Sequence, residues 1–365
     1  MNYWEYIRVE ELLALQGGFD NDEGKVSNDE TLFIVVHQIY ELWFKLVLRE
    51  LETLRAIFRK NPVPDVDLAR AVRSCRRVIA IFEQAIAHFK LMETLTTRDY
   101  LEFRDRLIPA SGFQSAQLRE IEILMGLEDS QRIGLGREGS YKEALKAADG
   151  SGSPATSRVE SRVSQGASFK DALYDWLSRT PIDGSSSQEG TDRFLVLFVE
   201  AHRKEIAARL ELAKQQAASG ADLEALTERY ATEMRHAENF LLANETSFRD
   251  DAERSRMRRV RAAIVFLESY RELPRLSWAR EIVDCVLEME QAMLIWRQRH
   301  ARMVERVIGR RTGTGGSSGV DYLDQTALAY RVFKDLWAAR TLLLRKPSLP
   351  PLEHSEVYSF RVEDH

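Results

Sequence analysis

The sequence predicts an all-α protein. Its long segments place apolar residues at intervals of three and four positions, as helices do, whereas the alternating pattern of strands is weak. Capping residues precede these segments, and Pro or Gly follows them. Of the 365 residues, 44% are hydrophobic and 30% are charged, which is enough apolar material for a large buried core. We therefore expect a single domain over residues 1–365, built as a helical bundle.

The first long helix is predicted to start after Ser27. Ser27 and Glu30 have the spacing of a capping box, and neither Pro nor Gly interrupts the chain from there to Arg59. One face of this helix carries Phe33, His37, Tyr40, Glu41 and Phe44. The opposite face carries Val35, Ile39, Leu42 and Leu46. Because both faces are rich in apolar residues, we expect both to be buried.

Two further helices follow. Pro62 lies in the segment that ends the first helix, and a second long helix is predicted from about residue 67 to residue 92. The short loop between these two helices predicts antiparallel packing. Thr96 can cap a shorter helix over residues 98–107, which Pro109 closes.

Two regions are predicted to be peripheral excursions from the bundle. Residues 128–168 shift to Gly, Ser and charged side chains, which is typical of loops. Residues 184–260 begin with a second such stretch and continue as a charge-rich segment with apolar pairs on either side of Gly220, which predicts a helical hairpin. A last long helix should then run from Ser277 to a stop at Gly309.

Composition excludes several classes of protein. Lys and Arg number 52 against 57 Asp and Glu, so the net charge of -5 predicts no nucleic-acid partner. Cys75 and Cys285 are too few for a disulfide scaffold and have no C-x-x-C spacing, which favours a reducing, cytoplasmic location. The amino terminus lacks a signal peptide, and charges interrupt every apolar segment, so no membrane span is predicted.

The seven histidines do not form a metal site of several side chains. None belongs to an H-x-x-x-H pair or lies beside a suitably spaced carboxylate. His300 lies in the apolar stripe of the last long helix, so its imidazole should point inward. It is either a hydrogen-bonded core residue or an axial haem ligand, for which one imidazole suffices because the porphyrin supplies four nitrogens.

Two other helical pairs could bind a small molecule. His37 follows Phe33 by one turn, and together they could offer an aromatic ligand a packing surface and a hydrogen-bonding nitrogen. Arg104 follows Tyr100 by one turn and could bind a carboxylate with two hydrogen bonds. The alternatives are a core histidine at a helix interface and an exposed ion pair.

The glycine-rich run 313–319 is the last candidate. It follows a helix, not a strand, and its third glycine is out of register, so it is no dinucleotide-binding fingerprint. Its glycines could let the backbone approach a ligand closely and present Thr314, or the run is a surface loop. No G-x-S-x-G elbow and no phosphate-binding loop lysine is present, which disfavours hydrolases and nucleoside triphosphatases.

Four separated segments, taken in order, are similar to one family. They are residues 33–45 (FIVVHQIYELWFK), 100–104 (YLEFR) leading into 109–115 (PASGFQS), 296–300 (WRQRH) and 313–319 (GTGGSSG). This combination resembles the tryptophan 2,3-dioxygenase family. The resemblance implies an all-α haem enzyme, usually a homotetramer, that inserts both atoms of O₂ across C2 and C3 of the indole of L-tryptophan. The product would be N-formylkynurenine, in the first step of tryptophan degradation by the kynurenine route.

The resemblance also implies roles for the residues around the cofactor and the indole. His300 matches the axial ligand of the iron of haem b, which would leave the opposite face open for O₂. His37 matches the distal histidine that accepts a hydrogen bond from the indole N–H and positions the ring. Phe33 would pack on that ring, and Ser111 matches a position near both cofactor and substrate.

The amino-acid part of the substrate has its own implied partners. Arg104 matches the arginine that binds the substrate carboxylate, and Thr314 matches the threonine that contacts the ammonium and carboxylate groups. Tyr100 matches a neighbouring pocket position. Tyr3 and Tyr6 match aromatic residues near the amino terminus that close the site of a neighbouring subunit, which would link activity to tetramer formation.

Two alternatives to this interpretation stay open. Members of the wider superfamily oxygenate modified tryptophans or other indoles, sometimes with a single oxygen atom. A non-catalytic haem- or tryptophan-binding protein, or a helical interaction scaffold, belongs to another class. Bound haem would distinguish a haem protein from a helical scaffold. Formation of an oxygenated product would distinguish an enzyme from a non-catalytic binding protein.

Overall fold

The computed structural model describes residues 1–107, 114–134, 141–147, 149–215, 220–246, 248–312 and 319–360. Within these ranges the chain is helical and has no strand, and Ile182 and Ser185 form an isolated antiparallel bridge. The prediction of an all-α fold is confirmed.

The helices of the described chain range from 4 to 32 residues in length. They are α1 (Tyr3–Ile7), α2 (Val9–Leu13), α3 (Asn28–Phe58), α4 (Asp65–Met92), α5 (Thr97–Arg104), α6 (Ala116–Met125), α7 (Tyr141–Ala144), α8 (Pro154–Ser164), α9 (Phe169–Leu177), α10 (Gln188–Lys214), α11 (Gly220–Leu242), α12 (Asp251–Ser269), α13 (Ser277–Ile308), α14 (Val320–Ala329) and α15 (Lys334–Thr341).

The chain divides into two compact units. The first comprises Met1–Leu54, Ser74–Phe169 and Glu288–Val332. The second comprises Arg55–Arg73, Lys170–Leu287 and Phe333–His365. The candidate site lies in the first unit, and the single domain expected from the sequence stays a prediction.

Helix α3 begins as its capping residues predict, because the Ser27 hydroxyl accepts a hydrogen bond from the Glu30 amide at 3.1 Å. Its Val36 and Val47 are buried, but Leu42 and Leu46 on the opposite face are 50% and 41% exposed. The prediction that both faces are buried is therefore wrong for the single chain. The hydrophobic effect still favours covering the second face.

Among the described residues, α3 is long and apolar enough to cross a membrane by length and composition, with a mean hydropathy of 1.4 over 18 residues. The core helix of a globular protein passes the same test, and one or two such helices are weak grounds for a membrane span. Val47, Leu51 and Leu54 of α3 are fully buried within this chain. The protein core therefore accounts for these apolar positions of the helix.

Helices α6 and α8 pack together in the first unit. The Ser115 hydroxyl caps α6, and Gly126, with φ of 114°, ends it. In α8, Val159 is buried and Arg162 donates a hydrogen bond to Glu120 of α6 at 3.2 Å. Part of the region 128–168, expected to be loops, is thus a helix with a buried face.

The second unit contains the helical hairpin. Helices α10 and α11 pack antiparallel, with ion pairs between Arg203 and Glu238 at 2.6 Å and between Arg209 and Glu233 at 2.7 Å. The hairpin predicted around residue 220 corresponds to these two helices. Helix α12 carries a fully buried run of residues 262–267, so the unit has its own core.

Candidate active site

A cavity of about 480 Å³ opens within the first unit. Its size is that of a typical small-molecule site. Apolar and aromatic side chains make up most of the lining that the structure describes. Polar side chains interrupt this lining, and they include His37, Glu41, Tyr100, Arg104, Arg119, Arg297 and His300.

Helix α3 presents His37 to this cavity. The Nδ1 atom of His37 lies 2.7 Å from the carbonyl oxygen of Phe33, one turn earlier, and the two rings lie 4.1 Å apart. Because a carbonyl can only accept, Nδ1 carries the proton and Nε2 is the free acceptor. Burial lowers the pKa of His37, although the Phe33 carbonyl and the charge of Glu41 oppose the shift. His37 is therefore a neutral imidazole with an acceptor nitrogen that is accessible from the cavity.

Helix α13 presents the second imidazole. The ring of His300 lies 5.6 Å from that of Phe89 and 5.5 Å from that of Trp296, and it is nearly parallel to both. Burial lowers the pKa of His300 to about 4, and repulsion from His37, when that ring is protonated, and from Arg297 adds to the shift. Among the described residues, no hydrogen-bond partner occupies either nitrogen of His300. This ring is neutral at physiological pH and keeps a lone pair available.

Arg104 lies at the end of α5 and links it to a distant part of the chain. Its Nη2 donates a hydrogen bond to the carbonyl of Thr312 at 2.6 Å, and its side chain also bonds to Tyr100. The Nε atom is buried without a partner among the described residues. The side chain is 14% exposed, and the nearest charge, on Asp105, is 3.9 Å away. These contacts do not fit the alternative of an exposed ion pair.

Tyr100 belongs to an aromatic cluster that backs the cavity. Its ring lies 5.9 Å from Phe33, and Phe103 lies 5.6 Å from Phe33. Burial raises the pKa of Tyr100, and the Arg104 guanidinium opposes the shift. Tyr100 therefore remains a neutral hydroxyl beside a permanent positive charge.

The structure adds polar side chains that the sequence analysis did not select. Glu41 follows His37 by one turn on α3, and Gln117 donates hydrogen bonds to its carbonyl and its carboxylate at 2.6 Å and 2.7 Å. Helical spacing places Glu41 on the same face as His37, but the sequence analysis did not select it as a site residue. Arg297 of α13 is buried at the cavity wall, and so is Arg119 of α6.

The remaining predicted site residues lie elsewhere. Tyr3 and Tyr6 are on α1, are 72% and 76% exposed, and do not line the cavity of their own chain. Ser111 lies outside the residues that the structure describes. Residues 313–318 of the glycine-rich run, which include Thr314, also lie outside them. The carbonyl of Thr312 shows that the chain entering this run starts beside Arg104.

These features define a helical enzyme site for a small, partly aromatic and anionic ligand. Two neutral imidazoles and a buried arginine face one apolar cavity, and the described residues include no group of three or more His, Cys, Asp or Glu that could hold a metal ion alone. The family model described as tryptophan 2,3-dioxygenase matches residues 1–343. The chain belongs to the tryptophan 2,3-dioxygenase family and is an oxidoreductase of the dioxygenase class.

Individual relatives agree with this assignment. A tryptophan 2,3-dioxygenase of Sorangium cellulosum is 69% identical over 364 residues, which is 100% of this chain and 88% of the relative. Tryptophan 2,3-dioxygenase 2 of Ralstonia nicotianae is 59% identical over 100% of this chain and 98% of the relative. The similarity extends to a vertebrate, because a tryptophan 2,3-dioxygenase of Xenopus laevis is 32% identical over 98% of this chain and 86% of the relative.

Proposed function

We propose that this chain inserts both atoms of O₂ across indole C2 and C3 of L-tryptophan to give N-formylkynurenine, with haem b as its cofactor. The observation that carries the proposal is the pair of neutral imidazoles, His37 and His300, which line the same apolar cavity as Arg104. Family membership supports haem, O₂ and tryptophan as the ligands of this cavity.

The residues of the cavity fit haem. His300 has a neutral ring without a hydrogen-bond partner among the described residues, and a porphyrin needs only one such ligand from the protein. Phe89 and Trp296 stack on this ring and fix its orientation. When bound, haem supplies the iron that binds and activates O₂. His300 would hold that iron, and Ser111 would lie near the cofactor.

The indole ring would be oriented by α3. Nε2 of His37 would accept the indole N–H, because Nδ1 already donates to Phe33. Phe33 would pack on the ring. In this role His37 positions the substrate without removing its proton.

The amino-acid group of tryptophan would be held at the other polar part of the cavity. Arg104 would bind the carboxylate with charge-assisted hydrogen bonds, and Tyr100 would donate from its neutral hydroxyl. Thr314 would contact the ammonium and carboxylate groups, and Ser111 would complete this part of the pocket. Fixing both ends of the substrate aligns its reactive carbons with bound O₂.

We propose that the active form is a homotetramer in which Tyr3 and Tyr6 close the site of a neighbouring subunit. Both rings are exposed and apart from their own cavity, which supports a role outside the single chain. The exposed apolar side chains Leu42 and Leu46 of α3 also favour burial against another subunit. A cytoplasmic location stays a prediction.

The proposal is tested by product analysis of the reduced, haem-loaded protein with L-tryptophan. We expect N-formylkynurenine, identified by chromatography and mass, from the wild type and none from His300→Ala. A singly oxygenated product would favour a related indole oxygenase, and bound haem without any product would favour a non-catalytic binding protein. Either result would overturn the proposal.

A further inference from the structure

Two arginines of the cavity wall have no role in the proposed binding of tryptophan. Arg119 of α6 and Arg297 of α13 both line the cavity, although their side chains are only 4% and 9% exposed. Each is anchored from behind by Glu122, whose carboxylate lies 2.9 Å from Arg119 and 2.5 Å from Arg297. Long cationic side chains are rarely buried unless they are paired with negative charges. The positive and negative charges of this cluster therefore have to be compared.

The positive charges around Glu122 exceed the negative ones. Arg132 also donates to Glu122, at 2.6 Å, so three guanidinium groups share one carboxylate. Glu290 lies beyond Arg297, on a smaller cavity of about 20 Å³, where it accepts the amide of Val332 at 2.5 Å. Even when Glu290 is counted, one buried positive charge is left over.

The acidic group next to Arg132 does not remove this excess. Asp129 lies 3.3 Å from Nε of Arg132, but it also pairs with Lys142 at 2.9 Å. Asp129 and Lys142 cancel each other in charge, so the excess of positive charge within the cluster around Glu122 persists.

Hydrogen-bond donors of this cluster are also unused. Arg119 gives Nη1 to both oxygens of Glu122, at 3.1 Å and 2.9 Å, and its Nε is buried without a partner in the described part of the chain. Leaving buried donors unpaired costs free energy that a bound anion can recover.

We infer that Arg119 and Arg297, held in place by Glu122, form a carboxylate-binding site on the cavity wall, separate from Arg104. Arg104 lies on α5 and bonds to Thr312, whereas Arg119 and Arg297 lie on α6 and α13 and share Glu122. A planar guanidinium matches a carboxylate in geometry as well as in charge. The inference rests on the proposed function for the identity of its ligands.

Two ligands of the proposed reaction carry a carboxylate. Haem b has two propionate side chains, and L-tryptophan has its α-carboxylate. Arg104 already offers a site for the carboxylate of the amino acid. We therefore expect a haem propionate to bind to Arg119 and Arg297. Both ligands would bind to the arginines through a carboxylate. Analogues of haem and of tryptophan that lack a free carboxylate show which of the two ligands binds there.

The first experiment compares haem with its dimethyl ester, in which both propionates are neutral. The full chain, freed of haem, is titrated with each ligand and binding is followed by the haem absorbance. We expect the wild type to prefer haem by about tenfold or more, and Arg119→Gln or Arg297→Gln to lose most of that preference while ester binding stays unchanged. Arg119→Lys keeps the charge but lacks the planar group. Its preference for haem over the ester should lie between those of the wild type and Arg119→Gln.

Arg158→Gln is the matched control. Arg158 pairs with the neighbouring Glu120 of α6 at 2.8 Å, but it is half exposed and does not line the cavity. We expect this variant to keep the full preference for haem. An equal loss in Arg158→Gln would mean that general charge or folding, and not the two wall arginines, causes the effect, and it would overturn the inference.

The second experiment compares L-tryptophan with tryptamine, which lacks the carboxylate, on the haem-loaded protein. If Arg119→Gln and Arg297→Gln lose the preference for L-tryptophan and keep that for haem, the carboxylate bound there belongs to the amino acid. If neither preference changes in Arg119→Gln, Arg297→Gln and Arg119→Lys, the carboxylate site is refuted. Failure of the proposed function would appear separately, as absence of N-formylkynurenine from a wild type that still prefers haem to its ester.

Discussion

Arg104 donates a hydrogen bond to the carbonyl of Thr312 across 208 positions of the sequence. This contact joins the end of α5 to the chain that enters the glycine-rich run, two segments that the sequence analysis selected independently. A largely buried arginine whose Nε has no partner among the described residues suits the α-carboxylate of an amino acid.

Replacing Arg104 by Gln should raise the KM for L-tryptophan. Loss of charge-assisted hydrogen bonds worth about 1.5–3 kcal/mol corresponds to a rise in KM of about 10- to 150-fold. Steady-state kinetics measure this effect, and binding of tryptamine should hardly change because it has no carboxylate. Arg98→Gln, on the exposed side of the same helix, is the control, and an unchanged KM in Arg104→Gln would remove Arg104 from substrate binding.

Replacing His37 by Ala should weaken catalysis only moderately. One neutral hydrogen bond is worth about 0.5–1.5 kcal/mol, so kcat/KM for L-tryptophan should fall about 3- to 10-fold. For 1-methyl-L-tryptophan, which has no indole N–H, the same substitution should have a smaller effect. Loss of activity by more than about a thousandfold on both substrates would instead identify His37 as an obligatory general base.

Replacing His300 by Ala should abolish stable haem binding. The purified variant should lack the absorbance band of histidine-ligated haem after reconstitution, while its helical content by circular dichroism stays that of the wild type. His236→Ala, an exposed position on α11, should bind haem normally. A wild-type haem spectrum in His300→Ala would refute the assignment of the axial ligand.

Replacing Glu122 by Gln should destabilise the fold. The change leaves Arg119, Arg132 and Arg297 buried without their shared counterion, and breaking such a buried pair costs about 3–5 kcal/mol. Urea unfolding at neutral pH measures this loss. Glu160→Gln, an exposed position on α8, is the control and should stay close to the wild type.

The same carboxyl group predicts a dependence of stability on pH. The three guanidinium groups outweigh burial and hold the pKa of Glu122 at about 2, against 4.5 for the free group. Since the folded pKa is the lower one, the stabilisation is complete above pH 4.5 and is lost as the pH falls towards about 2. Between these values the wild type should lose more stability than Glu122→Gln does, and equal losses would contradict the ion-pair network.

Local spacing predicted the part of the site that lies on single helices. Phe33 and His37 lie one turn apart on α3, and Tyr100 and Arg104 lie one turn apart on α5, so helical periodicity alone places each pair together. The inward orientation of His300 followed from the apolar stripe of α13 in the same way.

Features that depend on packing between distant helices were not predictable. Arg297 and Glu122 are 175 positions apart, and only the contact between α13 and α6 makes a buried ion pair from two charges that look solvent-exposed in sequence. Helix α8 was missed because Ser153 and Pro154, which start it, follow a Gly- and Ser-rich stretch typical of a loop. Leu42 and Leu46 were expected to be buried, and a single chain does not cover them.

The most direct test of the account is the mass of the product formed from L-tryptophan under ¹⁸O₂ by the reduced, haem-loaded wild type. We predict N-formylkynurenine that carries two ¹⁸O atoms, because both atoms of one O₂ enter the opened ring. A product with one ¹⁸O atom, or no oxygenated product from protein with a normal haem spectrum, would contradict the assignment of this cavity as a tryptophan dioxygenase site.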